Sequence, residues 1–227
     1  MFNQPQIAPS ILAADILNLE SDVAAVVNAG AKILHIDIMD GSFVPAITFG
    51  ANVVAGLRQK FPDTILDVHL MIENPQNHVE TFAAAGSDFI TVHYEAIVGR
   101  DDPGTPPTSD KLIEIANEIR QNGAKAGISI NPATPVSAIR NVIEHFDLAL
   151  IMTVVPGLGG QKYIDDCTAK IAEVAELSDI IISVDGGVNA DTISIPAAAG
   201  ANILVAGNAI FAADNIAAAF EELRQTL

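Results

Sequence analysis

The sequence predicts an α/β protein of the (β/α)8 TIM-barrel class, folded as a single domain over residues 1–227. Short β-rich runs alternate throughout with longer segments whose apolar residues recur every three or four positions. Eight such units can be counted, and a count of eight in a compact chain favours a closed ring of parallel strands over an open doubly wound sheet.

The strands are expected near 7–12, 33–38, 64–70, 88–93, 125–130, 148–154, 180–184 and 202–206. Helices are expected over 16–29, 51–60, 75–85, 109–122, 136–145, 163–177, 190–199 and 212–225. Asp63, Asp88, Asp147 and Asp179 introduce strands, while the glycines of AGA (29–31), AGS (85–87), NGA (122–124) and AGA (199–201) stop helices just before the next strand. The stretch AIVGRDDPGTPPTS at 96–109 is rich in proline and glycine, so it reads as a long loop after the fourth strand, with Ser109 capping the next helix. A flap near the substrate and a plain surface insertion both fit that loop.

Composition narrows the function. Half the 227 residues are hydrophobic and 17% are charged, enough to fill a sizeable core. The 28 acidic and 11 basic residues give a formal charge of −17, which argues against nucleic-acid backbones as partners. An anionic substrate would have to be held by main-chain N–H groups instead. Such acidity suits either a salt-rich cytoplasm or ordinary solubility. The opening MFNQPQIAPS has no basic region followed by an apolar run, and no apolar stretch is long enough to span a bilayer, so a soluble cytoplasmic protein with no membrane partner is expected. Cys167 is the single cysteine, which excludes an internal disulfide or a cysteine-cluster metal site. The dinucleotide fingerprint, the GxxxxGK[ST] loop and the GxSxG elbow are all absent.

The polar residues at strand ends carry the chemistry. In HIDIMDG (35–41), His35 and Asp37 share one face of a strand otherwise built for burial. His69 ends the third strand and Asp185 the seventh. A barrel brings these four to one rim, where two imidazoles and two carboxylates suit a divalent ion such as Zn²⁺, Fe²⁺, Mn²⁺ or Co²⁺. A lone histidine in such a place is ordinarily a packed neutral ring, but buried carboxylates need compensation, and this chain has few basic residues to give it. Two acids on different strands also suit epimerisation: one removes a proton from a carbon beside a carbonyl, and the other returns one to the opposite face.

Glycine turns supply the anion side. Gly157, Gly159 and Gly160 follow the sixth strand, Gly186 and Gly187 the seventh, and Gly207-Asn208 the eighth. Barrels frequently hold phosphate at such places. Met39, Met71 and Met152 lie near strand ends, where a soft wall around substrate and simple barrel packing both fit. His93, in TVHYEA, has a comparable place on the fourth strand, with a role at substrate, behind other site residues or in packing left open.

These residues fall in longer motifs: IAPSILAAD (7–15), HIDIMDGSFVPAITFG (35–50), DVHLMIENP (67–75), NPATP (131–135), PGLGGQKY (156–163), VDGGVN (184–189) and VAGNAIF (205–211). Through them the chain resembles the ribulose-phosphate 3-epimerase family over nearly its whole length. The resemblance implies that His35, Asp37, His69 and Asp185 bind one divalent metal ion per subunit, with Asp37 and Asp185 also the catalytic acid/base pair. It implies that Ser10, His69, Met39, Met71 and Met152 lie around the sugar, and that Gly157, Leu158, Gly159, Gly160, Gly186, Gly187, Gly207 and Asn208 hold the phosphate. The expected reaction interconverts D-ribulose 5-phosphate and D-xylulose 5-phosphate through an enediolate, in a protein expected to form a homo-oligomer. Two alternatives stay open, a D-allulose 6-phosphate 3-epimerase and a non-catalytic sugar-phosphate sensor, although the presence of both aspartates disfavours the sensor.

Three positions depart from the family's usual pattern. Val155 stands where Asn or Asp is usual, Leu158 where an aromatic residue is usual, and Asn208 where a small hydroxyl residue is common. Asn208 can still hydrogen-bond a phosphate, whereas Val155 removes a polar contact. The long 96–109 loop is a fourth departure, and it bears on substrate preference and subunit contacts more than on the core chemistry.

Overall fold

A computed structural model describes residues 4–98 and 109–227. Its eight strands are β1 (Gln6–Pro9), β2 (Ile33–Met39), β3 (Ile65–Met71), β4 (Phe89–His93), β5 (Lys125–Ile130), β6 (Leu148–Met152), β7 (Ile181–Asp185) and β8 (Ile203–Ala206). All pair in parallel, in the order β1-β8-β7-β6-β5-β4-β3-β2. A parallel bridge between Ser10 and His35 joins β1 to β2 and completes the ring. The fold is therefore the expected single-domain (β/α)8 TIM barrel, and Ser10 sits at its seam.

Around the ring lie α1 (Leu19–Asn28), α2 (Ala51–Lys60), α3 (Val79–Ala84), α4 (Tyr94–Val98), α5 (Ser109–Gln121), α6 (Thr168–Leu177), α7 (Ser194–Ala198), α8 (Asn208–Phe211) and α9 (Ile216–Gln225). Every residue of β2 is buried, and alternation divides them. Leu34, Ile36 and Ile38 join the core between strands and helices, whereas Ile33, His35, Asp37 and Met39 alternate with them on the inner side. β3 repeats the arrangement, with Leu66, Val68 and Leu70 outside and Asp67, His69 and Met71 inside. Burying each of those aliphatic side chains contributes roughly 1.5–3 kcal/mol, which lets the inner row hold polar groups. Ile33, Phe89, Leu148, Leu150 and Ile203 form an apolar floor inside the ring.

Two of the aspartates that introduce strands lock the ring. Asp88 Oδ2 accepts the Leu66 N–H at 2.8 Å and pairs with Arg58, and Asp147 Oδ2 accepts the Ala126 N–H at 2.9 Å and Arg120 Nε at 3.0 Å. Gly86 follows α3 with φ at 104°, and a Cβ there would lie 2.7 Å from Arg58 Cγ, so that turn needs glycine twice over.

Some element bounds differ from expectation. The segment 136–145 is not a helix but two 3₁₀ turns, Val136–Ala138 and Ile143–His145. Its buried residues Val136, Ile139, Val142 and Ile143 are all β-branched, which disfavours a continuous helix, and the short turns still bury them. The first strand ends at Pro9, after which Ile11–Ala13 forms a 3₁₀ turn. Ser109 lies within α5, where the described residues resume. Residues 99–108 of the expected loop lie outside the described residues. No described helix is long and apolar enough to cross a membrane.

Candidate active site

The carboxyl ends of the strands surround a cavity of about 640 Å³. Ser10, Asp37, Met39, Met71, Met152 and Asp185 line its floor and sides, and Gly157, Leu158, Gly159, Gly160, Gly186, Gly187, Gly207 and Asn208 line the rest. His35 and His69 lie behind this wall, both fully buried. So His69 is placed with the buried cluster rather than on the cavity surface expected of a residue that touches sugar.

Strand register assembles the cluster. Asp37 pairs with His69 across β2 and β3, as His35 pairs with Asp67. Asp37 sits at the centre. Its Oδ2 accepts the Ser10 hydroxyl at 2.6 Å, and its Oδ1 lies 3.3 Å from His35 Nε2 and 3.0 Å from His69 Nδ1. Asp185 Oδ2 is 3.9 Å from His69 Nδ1. One donor atom from each of His35, Asp37, His69 and Asp185 lies within 4.8 Å of all the others. Around the ring, β1 and β8 separate β2 from β7, so Asp37 and Asp185 face the cavity from different sides.

The donor set fits a divalent ion. His35 Nδ1 donates to Asp67 Oδ2 at 2.8 Å, so the opposite nitrogen, Nε2, which is turned toward Asp37, is the one that would exchange a proton for a bound ion. That nitrogen is buried and has no hydrogen-bond partner among the described residues. An orphaned imidazole nitrogen among carboxylates is what a metal ligand looks like before its ion is added, and a mixed N/O set of four suits Zn²⁺, Fe²⁺, Mn²⁺ or Co²⁺.

The same closeness shifts the protonation of each group. Burial alone would disfavour a charged His35, but the Asp37 and Asp67 carboxylates outweigh it and hold its pKa well above the usual histidine range. Burial also works against ionised Asp37, yet the neighbouring His35 keeps its carboxyl well below the usual range. Burial takes His69 down to about 4. Asp185 goes the other way, since burial and then the Asp37 charge push it up to about 7. Although 17% of its side chain is exposed, its carboxylate lies against the buried cluster. In the metal-free site the two carboxyls thus differ in proton affinity, an arrangement in which one can serve as base and the other as acid. A divalent ion would add positive charge to all four groups and lower their proton affinities together.

Loop contacts hold these strand ends. Thr48 donates its hydroxyl to the Asp37 carbonyl at 2.6 Å and accepts the Met39 N–H at 3.0 Å. Thr153 donates to the Gly186 carbonyl at 2.6 Å, and its N–H donates to the Asp185 carbonyl at 2.8 Å. At the glycine rim, Gly187 has φ at 69° and a Cβ there would fall 2.2 Å from Tyr163 N, so the two loops approach backbone to backbone. Asn208 turns its amide toward Gly159 and Gly160. Leu158 is 73% exposed at the cavity mouth, and Val155 is also exposed but off the cavity wall. Cys167 is buried away from the cavity.

Sequence reasoning missed Asp67, Glu95, Thr48 and Thr153. Asp67 was open to discovery, because it precedes His69 by two residues on one strand and therefore shares its face. The others act from loops or the start of a helix, where no periodicity marks them.

Fold and site together define a (β/α)8 barrel whose carboxyl rim joins a metal-competent acid/base cluster to a glycine-lined cavity. The chain matches the profile of the Ribulose-phosphate 3 epimerase family over residues 6–211. It is 43% identical over 225 residues to the ribulose-phosphate 3-epimerase of Bacillus subtilis, covering 96% of this chain and 98% of that one. The ribulose-phosphate 3-epimerase of Candida glabrata is 40% identical over 244 residues, covering 99% and 94%. The chain belongs to the ribulose-phosphate 3-epimerase family. Among solved structures, KGPDC from Streptococcus mutans in complex with D-R5P superposes with a TM-score of 0.76 at 16% identity, over 98% of this chain and 96% of that one. The 3-hexulose-6-phosphate synthase of Salmonella typhimurium gives 0.72 at 18% identity, over 99% and 98%. Likenesses at that identity show the shared fold.

Proposed function

We propose that this enzyme is a metal-dependent 3-epimerase that interconverts D-ribulose 5-phosphate and D-xylulose 5-phosphate. The observation that carries the reading is the pair Asp37 and Asp185, which face one cavity from different strands and share a four-residue donor cluster with His35 and His69. Family membership and the names of the relatives support the substrate.

The glycine rim and Asn208 hold the phosphate through backbone and amide donors, which an acidic chain needs in place of a basic patch. The sugar then extends toward Ser10 and the methionines. Ionised Asp37 removes the C3 proton, leaving an enediolate, and protonated Asp185 delivers its own proton to the other face of C3. The carboxyls end with roles exchanged, and the reverse reaction or exchange with solvent resets them. Ser10, by donating to Asp37 Oδ2, keeps this carboxylate ionised and oriented. His35, Asp37, His69 and Asp185 would hold the ion, whose positive charge would stabilise the negative charge developing on the substrate oxygens at C2 and C3. Met39, Met71 and Met152 shield the intermediate from water. The proposal includes a homo-oligomer, which light scattering of the purified protein tests, located in the cytoplasm, which cell fractionation tests.

Following C3 epimerisation of D-ribulose 5-phosphate and D-allulose 6-phosphate side by side tests the reading, before chelation, after chelation and after each divalent metal is restored. Preference for the pentose with metal-restored activity supports it. Preference for the hexose selects the allulose enzyme, and a metal-replete protein inactive on both sugars would indicate a sensor.

A further inference from the structure

Behind the cluster, a chain of contacts leads away from the cavity. His69 Nε2 lies 2.8 Å from His93 Nε2, and the two rings stack with centroids 4.9 Å apart. His93 Nδ1 lies 3.2 Å from Glu95 Oε2. The other Glu95 oxygen accepts the Asn131 N–H at 2.8 Å and the Thr134 hydroxyl. The loop carrying those two donors is itself pinned, because Lys170 Nζ on α6 donates to the carbonyls of Asn131 at 3.0 Å, Pro132 at 2.6 Å and Thr134 at 2.6 Å.

From these contacts we infer that Glu95, acting through His93, is a positioning residue that sets the tautomer of His69 and so aims its Nδ1 lone pair at the metal. The inference rests on the metal-dependent reading above. A carboxylate only accepts, so His93 must present Nδ1–H to Glu95. A neutral imidazole carries one proton, so His93 Nε2 is then a lone pair and must accept from His69 Nε2–H. His69 Nδ1 is left bare, 3.0 Å from Asp37 Oδ1, an apposition of two acceptors that a shared cation relieves. With an ion bound, His35 would be oriented directly by Asp67, whereas His69 is oriented through one intervening ring.

Replacing the carboxylate by its isosteric amide reverses the polarity. In Glu95→Gln, the amide oxygen stays on the Asn131 N–H and the Thr134 hydroxyl, which leaves the amide NH₂ facing His93 Nδ1. His93 then becomes an acceptor at Nδ1 and a donor at Nε2, and His69 carries its proton on Nδ1, where the metal should bind. Shape and packing are preserved while the chain of donors runs backwards.

The test uses ¹⁵N-labelled histidines in the full-length protein, read by long-range nitrogen–proton correlation with and without zinc, together with a zinc competition titration. Wild type is expected to show protonated Nε2 on His69 and protonated Nδ1 on His93 in both states. Glu95→Gln is expected to show the reversed pair without zinc and to bind zinc about 10- to 100-fold more weakly. Wild-type rings with the reversed protonation, or a Glu95→Gln protein with unchanged tautomers and unchanged zinc affinity, would overturn the inference. If Glu95→Gln fails to fold, the wild-type spectrum alone decides. Wild type that takes up no divalent ion would sink the metal-dependent reading instead, and its metal-free spectrum would still report the direction of the chain.

Discussion

Asp185→Asn separates what the site needs for catalysis from what the fold needs for stability. In metal-free protein the Asp185 carboxyl is raised from 3.8 to about 7, first by burial and then by the Asp37 charge. The folded state therefore holds this proton more tightly than the unfolded chain does. Its electrostatic cost is absent below about pH 4, grows as pH rises and is complete above about pH 7. At roughly 1.4 kcal/mol per pH unit, ionised Asp185 costs the fold about 4 kcal/mol there. An asparagine cannot ionise, so chelated Asp185→Asn should resist urea better than chelated wild type at pH 8 and about equally at pH 4. Turnover should move the opposite way, since losing one proton-transfer group costs about 10²- to 10⁴-fold in kcat. Urea titrations of both chelated proteins across this pH range, beside steady-state kinetics of the metal-replete forms, provide the assay. Near-normal turnover, or an unfolding difference that does not grow with pH, would refute the reasoning.

Ser10→Ala removes the buried hydroxyl that donates to Asp37 at 2.6 Å. Losing a hydrogen bond to a charged group costs about 1.5–3 kcal/mol, so kcat should fall by roughly ten-fold or more at unchanged metal content, measured by steady-state kinetics and metal analysis. Gly187→Ala places a Cβ 2.2 Å from Tyr163 N at a positive φ, which should destabilise the fold by at least about 1–3 kcal/mol and raise KM for the phosphorylated sugar. An unchanged KM would remove this loop from phosphate binding. Chelation should abolish epimerisation and lower the thermal midpoint, because the ion binds the folded state alone, and restoring Zn²⁺, Fe²⁺, Mn²⁺ or Co²⁺ should recover both.

Much of this was legible because burial and alternation leave strong marks. β2 reads as a strand from its isoleucines, and its polar residues fall two apart, so the sequence already places His35 and Asp37 on one face. The glycines after β6, β7 and β8 are likewise visible, and all line the cavity. The 136–145 segment misled because apolar spacing alone does not distinguish a helix from successive 3₁₀ turns. α4 and α8 were not anticipated, since helices of five and four residues hold too few positions to show a period. Glu95 was hidden for another reason: its partners Asn131 and Thr134 lie 36 and 39 residues away, brought close only when β4 and β5 pair.

Running the wild-type, metal-replete reaction on D-ribulose 5-phosphate in deuterium oxide, and reading C3 of both sugars by NMR at early conversion, tests the two-aspartate proton transfer most directly. With Asp37 and Asp185 acting on opposite faces, newly formed D-xylulose 5-phosphate should carry deuterium at C3 while unreacted substrate carries almost none. Product that keeps its original C3 proton, or equal labelling of both sugars from the start, would contradict it.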